Sequence, residues 1–103
     1  MDGAFAINDP TGVGFELAAK QLKRTIPLTA VDGSPDAEAA LKDADAPNFL
    51  ATASQDPFLM ARLAVQVGVK ILGGGKPDKE VQLMDSKLVT RDNVKDYQGW
   101  SAH

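Results

Sequence analysis

The sequence predicts an α/β fold, an open and mainly parallel sheet with flanking helices, as in a Rossmann-like lobe. Three observations carry this. Short apolar runs alternate with stretches of helical periodicity. Three of the runs end in a polar residue and then a proline suited to the first turn of a helix. They read Ala4-Phe5-Ala6-Ile7-Asn8-Asp9-Pro10, Leu28-Thr29-Ala30-Val31-Asp32-Gly33-Ser34-Pro35 and Phe49-Leu50-Ala51-Thr52-Ala53-Ser54-Gln55-Asp56-Pro57. The spacing leaves room for one helix between successive strands, which implies right-handed βαβ units. At 103 residues the chain suffices for one small domain with a modest core.

The first strand is expected over residues 4–8. Asp9 is the expected cap of the next helix and Pro10 sits in its first turn. That helix is expected to run to about Lys23, with Phe15, Ala18, Ala19 and Leu22 on its inner face. Lys20, Lys23 and Arg24 complement the negative end of its dipole. The second strand spans residues 27–32. Ser34 caps and Pro35 opens the second helix, with Ala37, Ala40 and Leu41 inward. It ends in Asp43-Ala44-Asp45-Ala46-Pro47. The third strand spans residues 49–55, and Asp56-Pro57 repeats the start signal. The third helix aligns Met60, Ala64, Val67 and Ile71, and stops at Gly73-Gly74-Gly75. Residues 81–89 alternate weakly and read as an edge strand or two pieces joined by a turn. Residues 90–100 form a short helix or turn carrying Val94, Tyr97 and Trp100.

Composition excludes several classes of function. A net charge of −3 does not supply the basic face that a nucleic-acid binder needs. No apolar run reaches the length that spans a bilayer. Met1-Asp2 shows no basic start of a signal peptide. With no cysteine and one histidine, His103 at the last position, neither disulfides nor a Ser/His/Asp or Cys/His arrangement can form. His103 reads as frayed tail. No cofactor or metal is expected.

The carboxyl ends of parallel strands are where open α/β sheets bind ligands. That rule brings Asn8, Asp32 and Gln55 to one rim. An amide donates and accepts, and a carboxylate accepts from two hydroxyls, which suits a polyol. The competing role is helix capping and turn closure. Asp9, Ser34 and Asp56 are expected to fill that role and so to free the residues just before them. Asp9, Asp32 and Asp56 instead form an acidic cluster in a phosphoacceptor or Mg²⁺-dependent phosphatase reading. Lys76-Pro77 follows a helix rather than a strand, which argues against that reading. Gly73-Gly74-Gly75-Lys76 reads as a helix C-cap rather than a phosphate loop, for the same reason. Tyr97 and Trp100 either stack on a sugar face or pack over the core as a lid.

Four successive motifs, Ala-Ile-Asn-Asp-Pro, Val-Asp-Gly-Ser-Pro-Asp-Ala, Ala-Ser-Gln-Asp-Pro and Leu-Val-Thr-Arg-Asp-Asn-Val, carry a family resemblance. The chain resembles the C-terminal portion of periplasmic sugar-binding proteins of the ribose/galactose type, which feed ABC transporters. In that family two α/β lobes close on a sugar. The resemblance implies that Asn8, Asp32 and Gln55 hydrogen-bond a monosaccharide, a pentose or hexose, and that Val31 packs against its ring. It implies a periplasmic location, an ABC permease as partner of the intact protein, and binding without enzymatic chemistry. It also implies that residues 1–56 are lobe core, residues 57–89 return to the other lobe, and residues 90–103 are tail of a single α/β domain over 1–103. The loop Arg24-Thr25-Ile26 is short for the family. The effector-binding domain of a sugar-responsive repressor resembles the same fold and is the alternative.

The resemblance also implies that the first lobe, the opening of the second and most of the sandwiching aromatic residues are missing. The third helix then lacks the sheet it would pack on. Its apolar face is expected to fold back into a compact three-layer domain or to associate with a second copy as a homodimer.

Overall fold

The computed structural model describes residues 1–101, so His103 lies outside the described residues. The chain folds in the order β1 (Ala4–Phe5), α1 (Asp9–Gln21), β2 (Leu28–Asp32), α2 (Pro35–Lys42), β3 (Phe49–Ser54), α3 (Pro57–Leu72), β4 (Lys87–Thr90) and a 3₁₀ turn (Val94–Asp96). The four strands form one sheet in the order β1-β2-β3-β4. The first three are parallel, and β4 runs antiparallel along β3, pairing Leu88 with Ala53 and Thr90 with Ala51. The expected mainly parallel α/β sheet is present.

A Pro-opened helix follows each of the three parallel strands. Pro10, Pro35 and Pro57 all stand in first turns, where the missing N–H costs no helical hydrogen bond. The core lies between the sheet and α1 and α2. Leu28, Phe49 and Ala37 are fully buried there, joined by Ala6, Ala30, Leu41, Val89 and Val94. Leu28 and Phe49 each contribute about 1.5–3 kcal/mol by leaving water.

The inner face of α1 differs from the periodic expectation. Asp9, Gly12, Glu16 and Ala19 are its buried residues, whereas Ala18 and Leu22 are exposed and Phe15 is half-buried. Gly12 sets this orientation. A Cβ there would stand 2.8 Å from the Phe49 ring and 3.2 Å from the Ala30 methyl. The helix backbone therefore lies directly on the strands, and only glycine fits. The helix ends at Gln21 rather than Lys23, because Lys23 turns left-handed at φ 52 and the Arg24 N–H donates back to the Ala19 carbonyl.

Two further expectations are corrected. The expected edge strand over residues 81–89 does lie at the sheet edge but is shorter, starting only at Lys87 and running to Thr90, since Asp85-Ser86 offers no apolar side chain to the sheet. The third helix does not fold back. No residue of α3 is buried, and Val65, Val69, Ile71 and Leu72 are all at least half exposed. The described chain is 59 × 27 × 17 Å with a radius of gyration of 17.1 Å, against about 13 Å for a compact domain of this length. The compact three-layer arrangement is thus not what the chain adopts. Both faces of the three-strand parallel sheet would need helices for full coverage, and α3 supplies none.

Candidate functional site

The carboxyl ends of β2 and β3 meet at a corner built around a buried carboxylate. Asp9 is fully buried. Its Oδ2 accepts from the Ser34 N–H at 2.7 Å, and its Oδ1 accepts from the Thr52 hydroxyl at 2.7 Å. The same Thr52 oxygen accepts from the Gly33 N–H at 3.1 Å. One side chain from the start of α1 and one from β3 thereby hold the β2–α2 turn.

This corrects the expected division of labour. Asp9 is not the cap of α1. Asn8 is, its Oδ1 accepting from the Thr11 N–H at 3.0 Å. Asn and Asp are equally good caps, and the choice falls to Asn8 because Asp9 points into the corner. Ser34 and Asp56 do cap α2 and α3 as expected, accepting from the Ala37 and Leu59 N–H groups.

Of the anticipated rim residues, Asp32 and Gln55 are brought together. The Gln55 side-chain amide donates to Asp32 Oδ1 at 2.8 Å, and the Gln55 backbone N–H donates to the Asp32 carbonyl at 2.8 Å. Asp32 Oδ2 accepts from the Asp9 N–H at 3.4 Å. Asn8 reaches neither Asp32 nor Gln55 by a direct hydrogen bond. Its Oδ1 is committed to the cap, while its amide nitrogen donates to no described residue. Val31 is half-buried on β2, one step along from buried Ala30 and so on the sheet face away from α1 and α2.

The backbone at Asp32 is unusual. Its φ is +135°, and Gly33 follows at φ +71°. A non-glycine residue in that region costs of order 1–3 kcal/mol and persists only where its surroundings enforce it. Here they do. The Asp32 carbonyl also accepts from the Trp100 indole N–H at 3.2 Å, and the Gly33 carbonyl accepts from the Tyr97 hydroxyl at 2.7 Å. Tyr97 packs against the core, which bears out the lid role, and burial raises its hydroxyl pKa above the usual tyrosine value, with the charges of Glu38, Asp9 and Asp56 adding to it.

Beside this corner an open groove of about 870 Å³ runs between the start of α3, β4 and the tail. Gln55, Asp56, Asp85, Asn93, Asp96 and Trp100 are among its walls, but Asn8, Val31 and Asp32 are not. Asp32 stands at its margin through its bonds to Gln55 and Trp100. The acidic-cluster reading finds no support in this geometry. Asp9 has both oxygens engaged and no exposed surface, and no group of three or more His, Asp or Glu suited to a metal occurs among the described residues.

Sequence reasoning missed Thr52, Asp9 in its true role, and Arg91. Arg91 is the strut of the tail. Its guanidinium donates to the carbonyls of Ala40, Leu41, Asp43 and Ala46, closing the C-terminal end of α2. The cue available in the sequence was basic chemistry after β4, but its partners lie about 50 residues earlier and no local pattern marks them.

No protein-family model matches the sequence, and no curated protein does. Solved structures do. An ABC sugar transporter subunit from Rhodobacter sphaeroides 2.4.1 is similar at 32% identity and a TM-score of 0.75, over 88% of this chain and 32% of that one. An ABC transporter solute binding protein from Agrobacterium vitis with bound allitol is similar at 27% identity and a TM-score of 0.79, over 91% and 32%. A galactofuranose binding protein is similar at 25% identity and a TM-score of 0.78, again over 91% and 32%. The chain thus spans about a third of the length of these proteins.

Proposed function

We propose, for a chain that is the counterpart of one third of an ABC sugar transporter's solute-binding protein, that it supplies one wall of a monosaccharide site and binds without chemistry. The observation that carries this is the Asp32–Gln55 pair, a carboxylate and an amide fixed together at adjacent strand ends on an enforced backbone. A carboxylate oxygen has lone pairs beyond the one Gln55 uses, and the Gln55 carbonyl and the Asn8 amide nitrogen add an acceptor and donors. That set matches vicinal hydroxyls, which both donate and accept. Val31 offers an apolar surface for a ring.

The likeness to proteins that carry allitol or galactofuranose supports a polyol or sugar ligand. It favours uptake over the repressor alternative, as does the transport role of the similar sugar transporter subunit. The permease of an ABC transporter is the corresponding partner, and the periplasm the corresponding compartment. Residues 1–56 then belong to one lobe. Residues 57–89 reach toward a second lobe, which the unburied α3 supports, and residues 90–103 are tail. In the chain by itself, α3 associates with a second copy.

The test is a titration of the ¹⁵N-labelled chain with galactofuranose, allitol and a panel of pentoses and hexoses. Part of a pocket gives weak binding, with Kd on the order of millimolar, or about 4 kcal/mol. The backbone amide signals of Asp32 and Gly33 and the side-chain amide signals of Gln55 should move, and Asp32→Ala should abolish the response. Shifts confined to other residues, or none with any sugar, would overturn the assignment.

A further inference from the structure

We propose that Tyr97 and Trp100 are positioning residues for Asp32: their two N–H and O–H donors hold the consecutive carbonyls of Asp32 and Gly33 and so aim the Asp32 carboxylate along the rim. The proposal rests on Asp32 being a sugar ligand, as inferred above.

The turn over residues 32–34 is held from two sides. From within the domain, the Gly33 N–H donates to Thr52 and the Ser34 N–H donates to Asp9. From outside, the Tyr97 hydroxyl and the Trp100 indole reach it from 64 and 68 residues along the chain. The inner set fixes both N–H groups and, through the Gln55 backbone N–H, the Asp32 carbonyl. Trp100 adds a second donor to that carbonyl, and Tyr97 supplies the donor to the Gly33 carbonyl, so the Gly33–Ser34 peptide plane is held at its N–H by Asp9 and at its carbonyl by Tyr97. A residue at φ +135° relaxes toward ordinary extended backbone once a restraint is lost. Rotation of the Asp32–Gly33 peptide turns the Asp32 carbonyl away from the Gln55 backbone N–H, the bond that seats Gln55 beside the Asp32 side chain.

The tail is fit to act as a rigid clamp. The Arg91 guanidinium binds four carbonyls at the end of α2, and Asn93 closes the turn by accepting from the Thr90 N–H and donating to the Leu88 carbonyl. Val94 is buried in the core. Tyr97 lies directly over Gly33, with its oxygen only 2.5 Å from where a Cβ would stand. Trp100 also lines the groove, so the same side chain touches both the turn and the space beside it.

Ring packing alone would make these aromatics a lid with no bearing on Asp32. Tyr97→Phe and Trp100→Phe separate the two roles, since each keeps an aromatic ring and removes the donor. The full chain carrying either substitution is compared with the unsubstituted chain by NMR, without sugar and then with galactofuranose or allitol. Trp100 is only half-buried and Trp100→Phe keeps an aromatic ring, so that variant tests the proposal even if Tyr97→Phe proves destabilising. Expected are displaced backbone amide signals of Gly33 and Ser34 and displaced side-chain amide signals of Gln55 in both variants, and a sugar affinity weakened about three- to tenfold, the worth of one hydrogen bond. Unchanged signals and unchanged affinity in both variants would overturn the proposal. Displaced signals in a chain that binds no sugar at all support the positioning role and overturn the sugar reading instead.

Discussion

Replacing Thr52 by valine removes one hydroxyl and almost no volume, which makes it a sharp probe of the corner. Thr52 is 1% exposed. Its hydroxyl donates to Asp9 Oδ1 at 2.7 Å and accepts from the Gly33 N–H at 3.1 Å. Valine leaves both groups buried without that partner. A buried neutral group so orphaned costs about 1–3 kcal/mol, and a charged one more. The sum is about 3–5 kcal/mol, a large part of the stability of any domain this small. Thr52→Ser keeps the hydroxyl and loses one methyl, at a cost of about 1 kcal/mol. Equilibrium urea unfolding followed by circular dichroism measures both. With a slope of about 1 kcal/mol per molar urea, serine moves the midpoint by about 1 M and valine by several times that, or leaves the chain unfolded in buffer. A valine variant as stable as the serine variant would refute the account of Asp9 as a carboxylate held by these bonds.

Gly33→Ala places a Cβ 2.7 Å from that of Ser54 and 2.5 Å from the Tyr97 hydroxyl, at φ +71°; it should cost about 2–4 kcal/mol from left-handed strain and crowding together, and a loss under 1 kcal/mol by the same urea assay would show that the turn can move. Because the Tyr97 hydroxyl titrates above its ordinary value of 10.0, the unfolded chain releases that proton first. The contribution of Tyr97 is whole below about pH 10 and is lost as pH rises toward the raised value, so the stability gap between the unsubstituted chain and Tyr97→Phe should narrow in alkali. A gap that stays constant from neutral pH past 10 rules this out. The exposed apolar residues of α3 should bring two chains together, read as a dimer mass by light scattering; a monodisperse monomer at high concentration counts against it, and Val65→Glu with Val69→Glu should shift the equilibrium toward monomer.

Much of the architecture was legible because its signals are local. A proline cannot sit inside a helix but suits its first turn, so three Pro-led starts marked three helices, and the apolar runs before them marked the parallel strands. The placement of Asp32 at the end of one parallel strand and of Gln55 just past the end of its neighbour was legible for the same reason. Asn8 and Asp9 were not separable. Both residue types cap well, and only the direction of the first turn of α1, set by Gly12 lying against Phe49 and Ala30, decides which one faces inward. The inner face of α1 escaped for a related reason. Hydrophobic periodicity looks for large side chains, whereas the closest contact here is made by a residue with none. In α3 the periodicity was right about the helix and misleading about its surroundings, because an apolar face records the need for a partner and not which partner meets it.

The sequence by itself determined the alternation of strands and helices, the starts of the helices and the polar chemistry at the strand ends, since these depend on backbone preferences and spacing within a few residues. Tertiary structure alone decided that Asp9 is the buried anchor, that Asp32 is held at φ +135°, and that Tyr97 and Trp100 complete its support. Those features join groups 25 to 68 residues apart. They exist only because the folded sheet sets such groups within hydrogen-bonding distance, where a donor and an acceptor that no local pattern relates satisfy one another.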